Sequence, residues 1–139
     1  MARYRRTPAV ARTIVVAMLA AGVAVAVPSP AHAANGLTCR YTLFQWSGGF
    51  MAELAIVNQT TTTINGWNAS WTFRNATLVA ATWNGTITQS TPFDATARNA
   101  FYNGQIRPGA AAALGWTAMA PATEVPTDIV VNGVHCPVA

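Results

Sequence analysis

The chain has 139 residues, of which 52% are hydrophobic and 9% charged, and its formal net charge at pH 7 is +4. Half of the eight basic residues lie within the first 33 residues, so residues 34–139 hold four arginines and four carboxylates and are neutral. A neutral chain of this size argues against nucleic acid or an anionic membrane as a partner. It is long enough for one compact domain and too short for two.

Residues 1–33 have the three parts of a secretory signal peptide. Arginines form a basic start, Ile14 to Val27 form an apolar stretch, and Ala31-His32-Ala33 supplies a small-x-small cleavage site. The apolar stretch is too short and too rich in alanine to favour a membrane span. We therefore expect a signal peptide over residues 1–33 and a secreted domain over residues 34–139. Arg5-Arg6 leaves twin-arginine export open, and general secretion is favoured.

The mature segment contains two cysteines, Cys39 and Cys136, and they lie near its two ends. An oxidising compartment, an even number and this placement predict one end-to-end disulfide, with two free buried thiols as the alternative. Closing a loop of about 100 residues stabilises a fold by about 4.7 kcal/mol in the chain-entropy model.

Alternation of apolar and polar side chains predicts short strands along the mature segment. At its start, Cys39, Tyr41 and Leu43 share one face of a strand, and Phe44 and Trp46 share the other. Ala52, Leu54 and Ile56 define the inward face of a second strand, and Leu114 and Trp116 that of a later one. The clearest strand is predicted over Asn65 to Phe73, where Trp67, Ala69, Trp71 and Phe73 alternate with polar residues.

Turn signals occur at regular intervals between these strands. They are Ser47-Gly48-Gly49, Asn65-Gly66, Asn84-Gly85, Asn103-Gly104, Pro108-Gly109 and Asn132-Gly133. Short strands at this spacing predict an all-β fold, an antiparallel β-sandwich of immunoglobulin-like or jelly-roll-like type. Thr60 to Thr63 is predicted as a loop, although it could extend a strand. Pro121 to Thr127 is predicted as an irregular crossing segment.

The aromatic residues divide into two groups. Alternation assigns Trp67, Trp71, Phe73 and Trp116 to the core. Trp46 shares the outward face with Phe44, Trp83 stands before Asn84-Gly85 at a strand end, and Phe101-Tyr102 stands before Asn103-Gly104. From this pattern alone, the second group either caps the core or forms a binding surface.

Several motifs in order along the chain resemble the family 2 carbohydrate-binding modules of bacterial cellulases and xylanases. Besides the two cysteines they are Gln45-Trp46-Ser47-Gly48-Gly49-Phe50, Ile64-Asn65-Gly66-Trp67, Trp83-Asn84-Gly85-Thr86-Ile87-Thr88-Gln89-Ser90, Asn99-Ala100-Phe101-Tyr102-Asn103-Gly104, Pro108-Gly109 and Val131-Asn132-Gly133. The resemblance implies a β-sandwich whose ends are joined by a disulfide. It also implies a non-catalytic module that binds an insoluble neutral polysaccharide, with cellulose favoured over chitin and xylan. We expect the module to be free-standing, because the sequence shows no linker to a second domain, and monomeric.

The resemblance further implies a flat face with three exposed rings, Trp46, Trp83 and Tyr102. Phe44, Phe101 and Asn84 are candidate accessory binding residues. Gly49, three residues after the first tryptophan, is typical of the cellulose-binding branch, in which that ring lies flat. Rings two strands apart in a sheet lie about 10 Å apart, close to one disaccharide repeat of a β-1,4-glycan.

The polar residues that surround the platform in many family members are missing here. The matching positions hold Phe44, Ala81, Ala113 and Thr117. The resemblance therefore implies a more apolar face that makes fewer directional hydrogen bonds to sugar hydroxyls.

Other functions are less well supported by the sequence. A glycosidase needs two positioned carboxylates, and the four acids of the mature segment, Glu53, Asp94, Glu124 and Asp128, form no motif. Cleavage after Ala31 would expose His32 as an N-terminal copper ligand of a monooxygenase type, with His135 as the one candidate partner. A secreted adhesion or interaction protein on the same sandwich is the third alternative. We expect no catalytic residue, metal or cofactor.

Overall fold

The computed structural model describes residues 36–139 and, outside that range, only Gly22. The predicted signal peptide, its cleavage site and His32 therefore lie outside the described residues. Residues 36–139 form strands and no helix. The strands are β1 (Leu37–Trp46), β2 (Gly49–Asn58), β3 (Ile64–Asn65), β4 (Asn68–Thr72), β5 (Leu78–Trp83), β6 (Gly85–Thr88), β7 (Asp94–Asn99), β8 (Gln105–Ile106), β9 (Ala111–Met119), β10 (Val130–Val131) and β11 (Val134–His135). A search of the described residues found no helix with the length and apolar character that crossing a membrane requires.

Two antiparallel sheets make up the sandwich. The first sheet has the strand order β1-β2-β9-β5, and the second has the order β11-β10-β4-β7-β6. The short strands β3 and β8 pair with each other at the side. The prediction of an all-β antiparallel sandwich is confirmed.

The aromatic core lies between the two sheets. The four aromatic residues assigned to it, Trp67, Trp71, Phe73 and Trp116, are at most 3% exposed, which confirms that assignment. Trp71 of the second sheet stacks on Trp116 of the first, with ring centroids 5.0 Å apart. Tyr41 of β1 meets Trp116 edge to face at 5.7 Å. Burial raises the pKa of the Tyr41 phenol far above its ordinary value.

The predicted strand over Asn65 to Phe73 is wrong in its extent. Gly66 adopts a φ of 83°, a left-handed conformation that interrupts a strand, and it divides the segment into β3 and β4. The backbone N–H of Trp67 donates instead to the Asn99 side chain at 2.9 Å. Phe73 lies just beyond β4 and is still buried. The inward positions were thus predicted correctly, although the strand is shorter.

Three of the predicted turns differ in what they connect. Ser47-Gly48 joins β1 to β2, and Asn132-Gly133 joins β10 to β11 with φ values of 50° and 80°, as a two-residue hairpin requires. Asn84, at φ 59°, is different, because β5 belongs to the first sheet and β6 to the second. There the chain turns a corner between sheets. The predicted loops over residues 60–63 and 121–127 contain no strand, as expected.

The predicted disulfide is confirmed. Cys39 of β1 is bonded to Cys136, 97 residues later in the chain, with their Cα atoms 5.6 Å apart. The bond links the first sheet to the segment that follows β11 of the second. The backbone N–H of Cys39 donates to the carbonyl of Pro137, and the carbonyl of Cys39 accepts from the N–H of Ala139. Val138 thus forms a parallel bridge with Cys39. This bridge satisfies the backbone groups of Cys39 on the open edge of β1.

Candidate functional site

The solvent side of the first sheet, which we call the outer face, holds six of the twelve large hydrophobic side chains that are exposed in the described residues. Antiparallel register arranges its central residues in three rows across β1, β2, β9 and β5. The first row is Thr42, Glu53, Gly115 and Trp83; the middle row is Phe44, Met51, Thr117 and Ala81; and the third row is Trp46, Gly49, Met119 and Leu78. The outer face thus has a tryptophan at each of two diagonally opposite corners.

Trp46 occupies the end of β1 and is 49% exposed. The pairing of β1 with β2 contains no bulge, so simple alternation carries its side chain outward as predicted. The indole lies over Gly49 of β2, since a Cβ atom on that glycine would sit 2.8 Å from the indole Nε1. Phe44, 63% exposed, stands beside it with ring centroids 6.2 Å apart.

Trp83 occupies the opposite edge strand, β5, and is 37% exposed. Val79 has the same parity in sequence, yet it packs against the core. The register of β5 against β9 shifts between Val79 and Ala81, and this bulge moves the alternation by one residue so that Trp83 faces outward. Its indole lies directly over Gly115 of β9, where an added Cβ would overlap the ring at Nε1.

Tyr102 lies in the loop between β7 and β8 and is 60% exposed. Its hydroxyl donates to the side-chain oxygen of Asn84, the corner residue that follows Trp83. The neighbouring Asn103 amide donates to the Asn84 carbonyl at 2.7 Å, and the Asn103 carbonyl accepts from the indole N–H of buried Trp67 at 2.9 Å. These bonds attach the loop to the core and hold Tyr102 at the Trp83 corner.

Phe101 extends the same corner. Its ring is 99% exposed and meets Tyr102 edge to face, with centroids 5.2 Å apart. Of the six predicted site residues, the structure therefore groups Trp83, Asn84, Phe101 and Tyr102 at one corner of the outer face. It groups Trp46 and Phe44 at another.

The two tryptophans lie farther apart than the spacing of about 10 Å expected for rings two strands apart. Trp46 and Trp83 lie on the outermost strands of a four-stranded sheet, and their rows are four residues apart along β1. Three strand spacings and four residues along a strand correspond to about 20 Å, or about two disaccharide repeats rather than one.

Sequence reasoning missed four residues of the outer face. Met51, Leu78 and Met119 are 43%, 64% and 63% exposed on the middle and third rows of the face, and Gly115 supports Trp83. A glycine inside a strand is a known signal of close approach, so Gly115 could have been found. The other three depend on the pairing register.

The middle row explains the apolar character of the face. Four positions of this chain lack the polar residue that many family members carry there. Three of them share the middle row with Met51: Phe44, Ala81 and Thr117. The fourth, Ala113, pairs with Ala55 beyond the Trp83 row. The middle row is therefore largely hydrocarbon and thioether, whereas the first row carries the Glu53 carboxylate.

Three of the four acidic residues hold neighbouring groups of the fold. Asp94 accepts hydrogen bonds from Ser90 and Thr91, Asp128 accepts from the Thr72 backbone at 3.2 Å, and Glu124 pairs with Arg74 at 3.6 Å. Within the described part of the chain, no three His, Cys, Asp or Glu side chains are arranged to hold a metal ion.

The sequence of the chain is similar to parts of several known proteins. Residues 37–136 match the family described as "Cellulose binding domain". Chitinase 63 of Streptomyces plicatus is 32% identical over 132 residues, which cover 94% of this chain and 21% of that protein. Endoglucanase C of Cellvibrio japonicus is 35% identical over 99 residues, covering 70% of this chain and 13% of that protein. The chain therefore spans about a fifth or less of the length of these relatives.

Solved structures of isolated domains match over nearly their whole length. The chitin-binding domain of Chi18aC from Streptomyces coelicolor superposes with a TM-score of 0.61 at 30% identity, covering 74% of this chain and 96% of that domain. The cellulose-binding family 2 carbohydrate binding domain from ScLPMO10C has a TM-score of 0.53 at 28% identity, covering 69% of this chain and 93% of that domain.

Fold, exposed aromatic face and comparisons together define a non-catalytic carbohydrate-binding module whose partner is a polysaccharide. The chain belongs to the family 2 carbohydrate-binding modules.

Proposed function

We propose that the outer face of the first sheet binds the flat face of an insoluble β-1,4-linked polysaccharide, with crystalline cellulose as the favoured ligand. Trp46, Trp83 and Tyr102 are the principal contacts, and Phe44, Phe101 and Asn84 are accessory contacts. The observation that carries the proposal is the placement of both tryptophans, exposed, over glycines of neighbouring strands. A glycine lets a ring lie down on the sheet instead of standing away from it.

The chemistry of the ligand fits such a surface. The axial C–H faces of β-1,4-linked glucose are apolar and stack on aromatic rings. If each ring buries about 50–80 Å² of apolar area, the gain is about 1.2–2 kcal/mol per ring. Three rings then supply about 4–6 kcal/mol before the entropy lost on association. A crystalline surface offers parallel chains that several rings can engage together, which compensates for weak individual contacts.

The scale of the face, about 20 Å between corners, favours an extended ligand. Trp46 and the Trp83–Tyr102 corner are separated by about two disaccharide repeats, given the strand spacing and rise. A short soluble oligosaccharide would reach only one corner at a time. A long chain, or two neighbouring chains of a crystal, would reach both.

Chitin is the second candidate, and a specific similarity favours it. The chitin-binding domain of Chi18aC has the higher TM-score of the two solved domains described above, 0.61 against 0.53. Gly49 beneath Trp46 favours cellulose, because this residue is typical of the cellulose-binding branch. Both polymers present β-1,4-linked sugar faces, so the two hypotheses share one platform and differ in ligand.

A depletion assay tests the platform and ranks its ligands. Residues 34–139 would be mixed with crystalline cellulose, chitin and insoluble xylan, alongside the Trp46→Ala and Trp83→Ala variants. We expect retention on cellulose and about a tenfold fall in the partition coefficient for each variant, as the loss of about 1.2–2 kcal/mol requires. Circular dichroism should stay native, because neither ring fills the core.

Phe93→Ala is a matched control. Phe93 is 44% exposed, similar to Trp46, but it precedes β7 of the second sheet. Its removal should leave adsorption unchanged. If both tryptophan variants are retained at the wild-type level, the proposed binding face is wrong. If the wild type is retained more strongly on chitin than on cellulose, chitin becomes the favoured ligand.

We also propose that the mature protein is a secreted monomer that starts at residue 34. The signal-peptide pattern of residues 1–33 supports export, and the buried Cys39–Cys136 disulfide fits an oxidising compartment. N-terminal sequencing of secreted protein checks the start. A start at His32 would instead favour the copper-ligand alternative.

A further inference from the structure

The two methionines of the mature segment have an unusual placement. The chain contains four methionines, and Met1 and Met18 lie in the predicted signal peptide. Met51 and Met119 are 43% and 63% exposed, while no methionine is among the buried core residues of the described range. Methionine is ordinarily one of the residues most often buried. Both thioethers that remain after export therefore lie on the outer face.

Met51 lies between the aromatic corners, and Met119 lies in the row of Trp46, to one side of the line that joins them. Met51 stands in the middle row between Phe44 and Thr117, and Met119 stands in the third row between Gly49 and Leu78. Gly49 is the residue on which the Trp46 indole lies. A ligand that spans from Trp46 to Trp83 must pass over β2 and β9, the two strands that carry the methionines.

We propose that Met51 and Met119 are contact residues of the polysaccharide-binding face and its site of oxidation, so that peroxide converts the face from a strongly to a weakly adsorbing form. This inference rests on the proposed function. A thioether is apolar, polarisable and adaptable, and it can follow the contour of a sugar face. A sulfoxide is polar and retains bound water, so it opposes close contact with an apolar surface.

The reaction is a two-electron oxygen transfer. The thioether sulfur attacks one oxygen of hydrogen peroxide, the O–O bond breaks, and an S=O bond forms. Sulfur is oxidised, peroxide is reduced, and the second oxygen leaves as water. Methionine sulfoxide reductases reverse the change.

The rest of the domain directs oxidation to these two residues. Cys39 and Cys136 are already joined in a disulfide and are buried, and the described residues contain no free cysteine. Trp67, Trp71 and Trp116 are enclosed between the sheets. Trp46 and Trp83 are also exposed, but peroxide oxidises a thioether much faster than an indole, so Met51 and Met119 react first.

The test compares adsorption before and after peroxide treatment of residues 34–139. Mild treatment of the wild type should add two oxygen atoms by intact mass, and peptide mapping should locate them at Met51 and Met119. The partition coefficient on crystalline cellulose should fall about tenfold, because apolar contact is lost at two positions. Incubation with the two methionine sulfoxide reductases, one for each epimer of the sulfoxide, should restore the original mass and the original adsorption.

A Met51→Leu/Met119→Leu variant separates methionine oxidation from damage elsewhere. Its adsorption before treatment is its own reference, and the ratio after and before treatment should stay near unity. The proposal is overturned if the doubly oxidised wild type adsorbs as well as the untreated protein, or if the leucine variant loses adsorption to the same extent. Absence of adsorption before any treatment would instead contradict the proposed function itself, and this inference with it.

Discussion

At the scale of single residues, the five tryptophans show that one residue type takes two roles according to what lies beneath it. Trp71 and Trp116 face each other across the sandwich and stack, and Trp67 is anchored by its indole N–H. Trp46 and Trp83 lie over glycines on the solvent side. The difference is made by the neighbouring strand, which offers either an aromatic partner or a bare backbone.

The buried phenol of Tyr41 gives a prediction about alkaline pH. Burial raises the pKa of Tyr41, so the folded protein keeps the proton above about pH 10 while the unfolded chain releases it. The free energy of unfolding should therefore be unaffected by this group at neutral pH and should fall as pH rises above about 10. Urea titrations from about pH 8 to about pH 11 bracket the ordinary tyrosine pKa and measure the slope.

Tyr41→Phe should reduce that slope, because it removes the ionising group. Stability at neutral pH should change little or rise, since the hydroxyl is buried without an acceptor among the described residues. Equal slopes in wild type and Tyr41→Phe would contradict the prediction.

At the scale of elements, the irregularities of β5 and its neighbours shape the site. The bulge between Val79 and Ala81 turns Trp83 outward, and the left-handed Asn84 then moves the chain into the second sheet. Asn84 also accepts a hydrogen bond from the hydroxyl of Tyr102. The corner at Asn84 therefore holds the ring of Tyr102 near the ring of Trp83.

Gly115 of β9 gives a prediction at this scale. In Gly115→Ala the new Cβ would overlap the Trp83 indole, which must therefore rise from the sheet. We expect adsorption to cellulose to fall by a factor of about three to ten, within the contribution of a single ring. Circular dichroism should remain native, because alanine is compatible with a strand and the displaced ring is exposed.

A double-mutant cycle identifies the cause. If Gly115 acts only by supporting Trp83, then Gly115→Ala/Trp83→Ala should adsorb like Trp83→Ala alone. Additive losses would show that Gly115 affects adsorption by another route.

At the scale of the whole molecule, the sandwich separates its stabilising interactions from its binding surface. Core aromatic packing and the disulfide lie between or at the end of the sheets, whereas the exposed rings other than Phe93 lie on the outer face or at its Trp83 corner. This division lets the domain present a large apolar surface without weakening its core. A patch of this kind is a typical feature of a binding site.

The disulfide should contribute to stability without affecting binding. Cys39→Ala/Cys136→Ala removes the constraint on a 97-residue separation and should lower the free energy of unfolding by about 2–5 kcal/mol. Denaturant unfolding of the variant, beside oxidised and reduced wild type, measures the loss. Adsorption at a temperature where the variant remains folded should be unchanged; an unaltered free energy of unfolding would contradict the prediction.

The sequence by itself determined the properties that depend on local pattern. A period of two placed Trp71 and Trp116 inside and Trp46 outside, because alternation holds wherever a strand is regular. The two cysteines predicted their own pairing, because no other thiol was present. Ordered motifs carried the family resemblance.

Tertiary structure alone decided how the outer face is assembled. Trp83 could not be oriented from its parity, because a bulge arises from pairing with a partner strand and has no fixed signal in its own strand. Met51 and Met119 became neighbours of the rings through register, which is set between strands distant in sequence. Local pattern decides which side of a strand a residue faces. Only the pairing of strands decides which residues share that side.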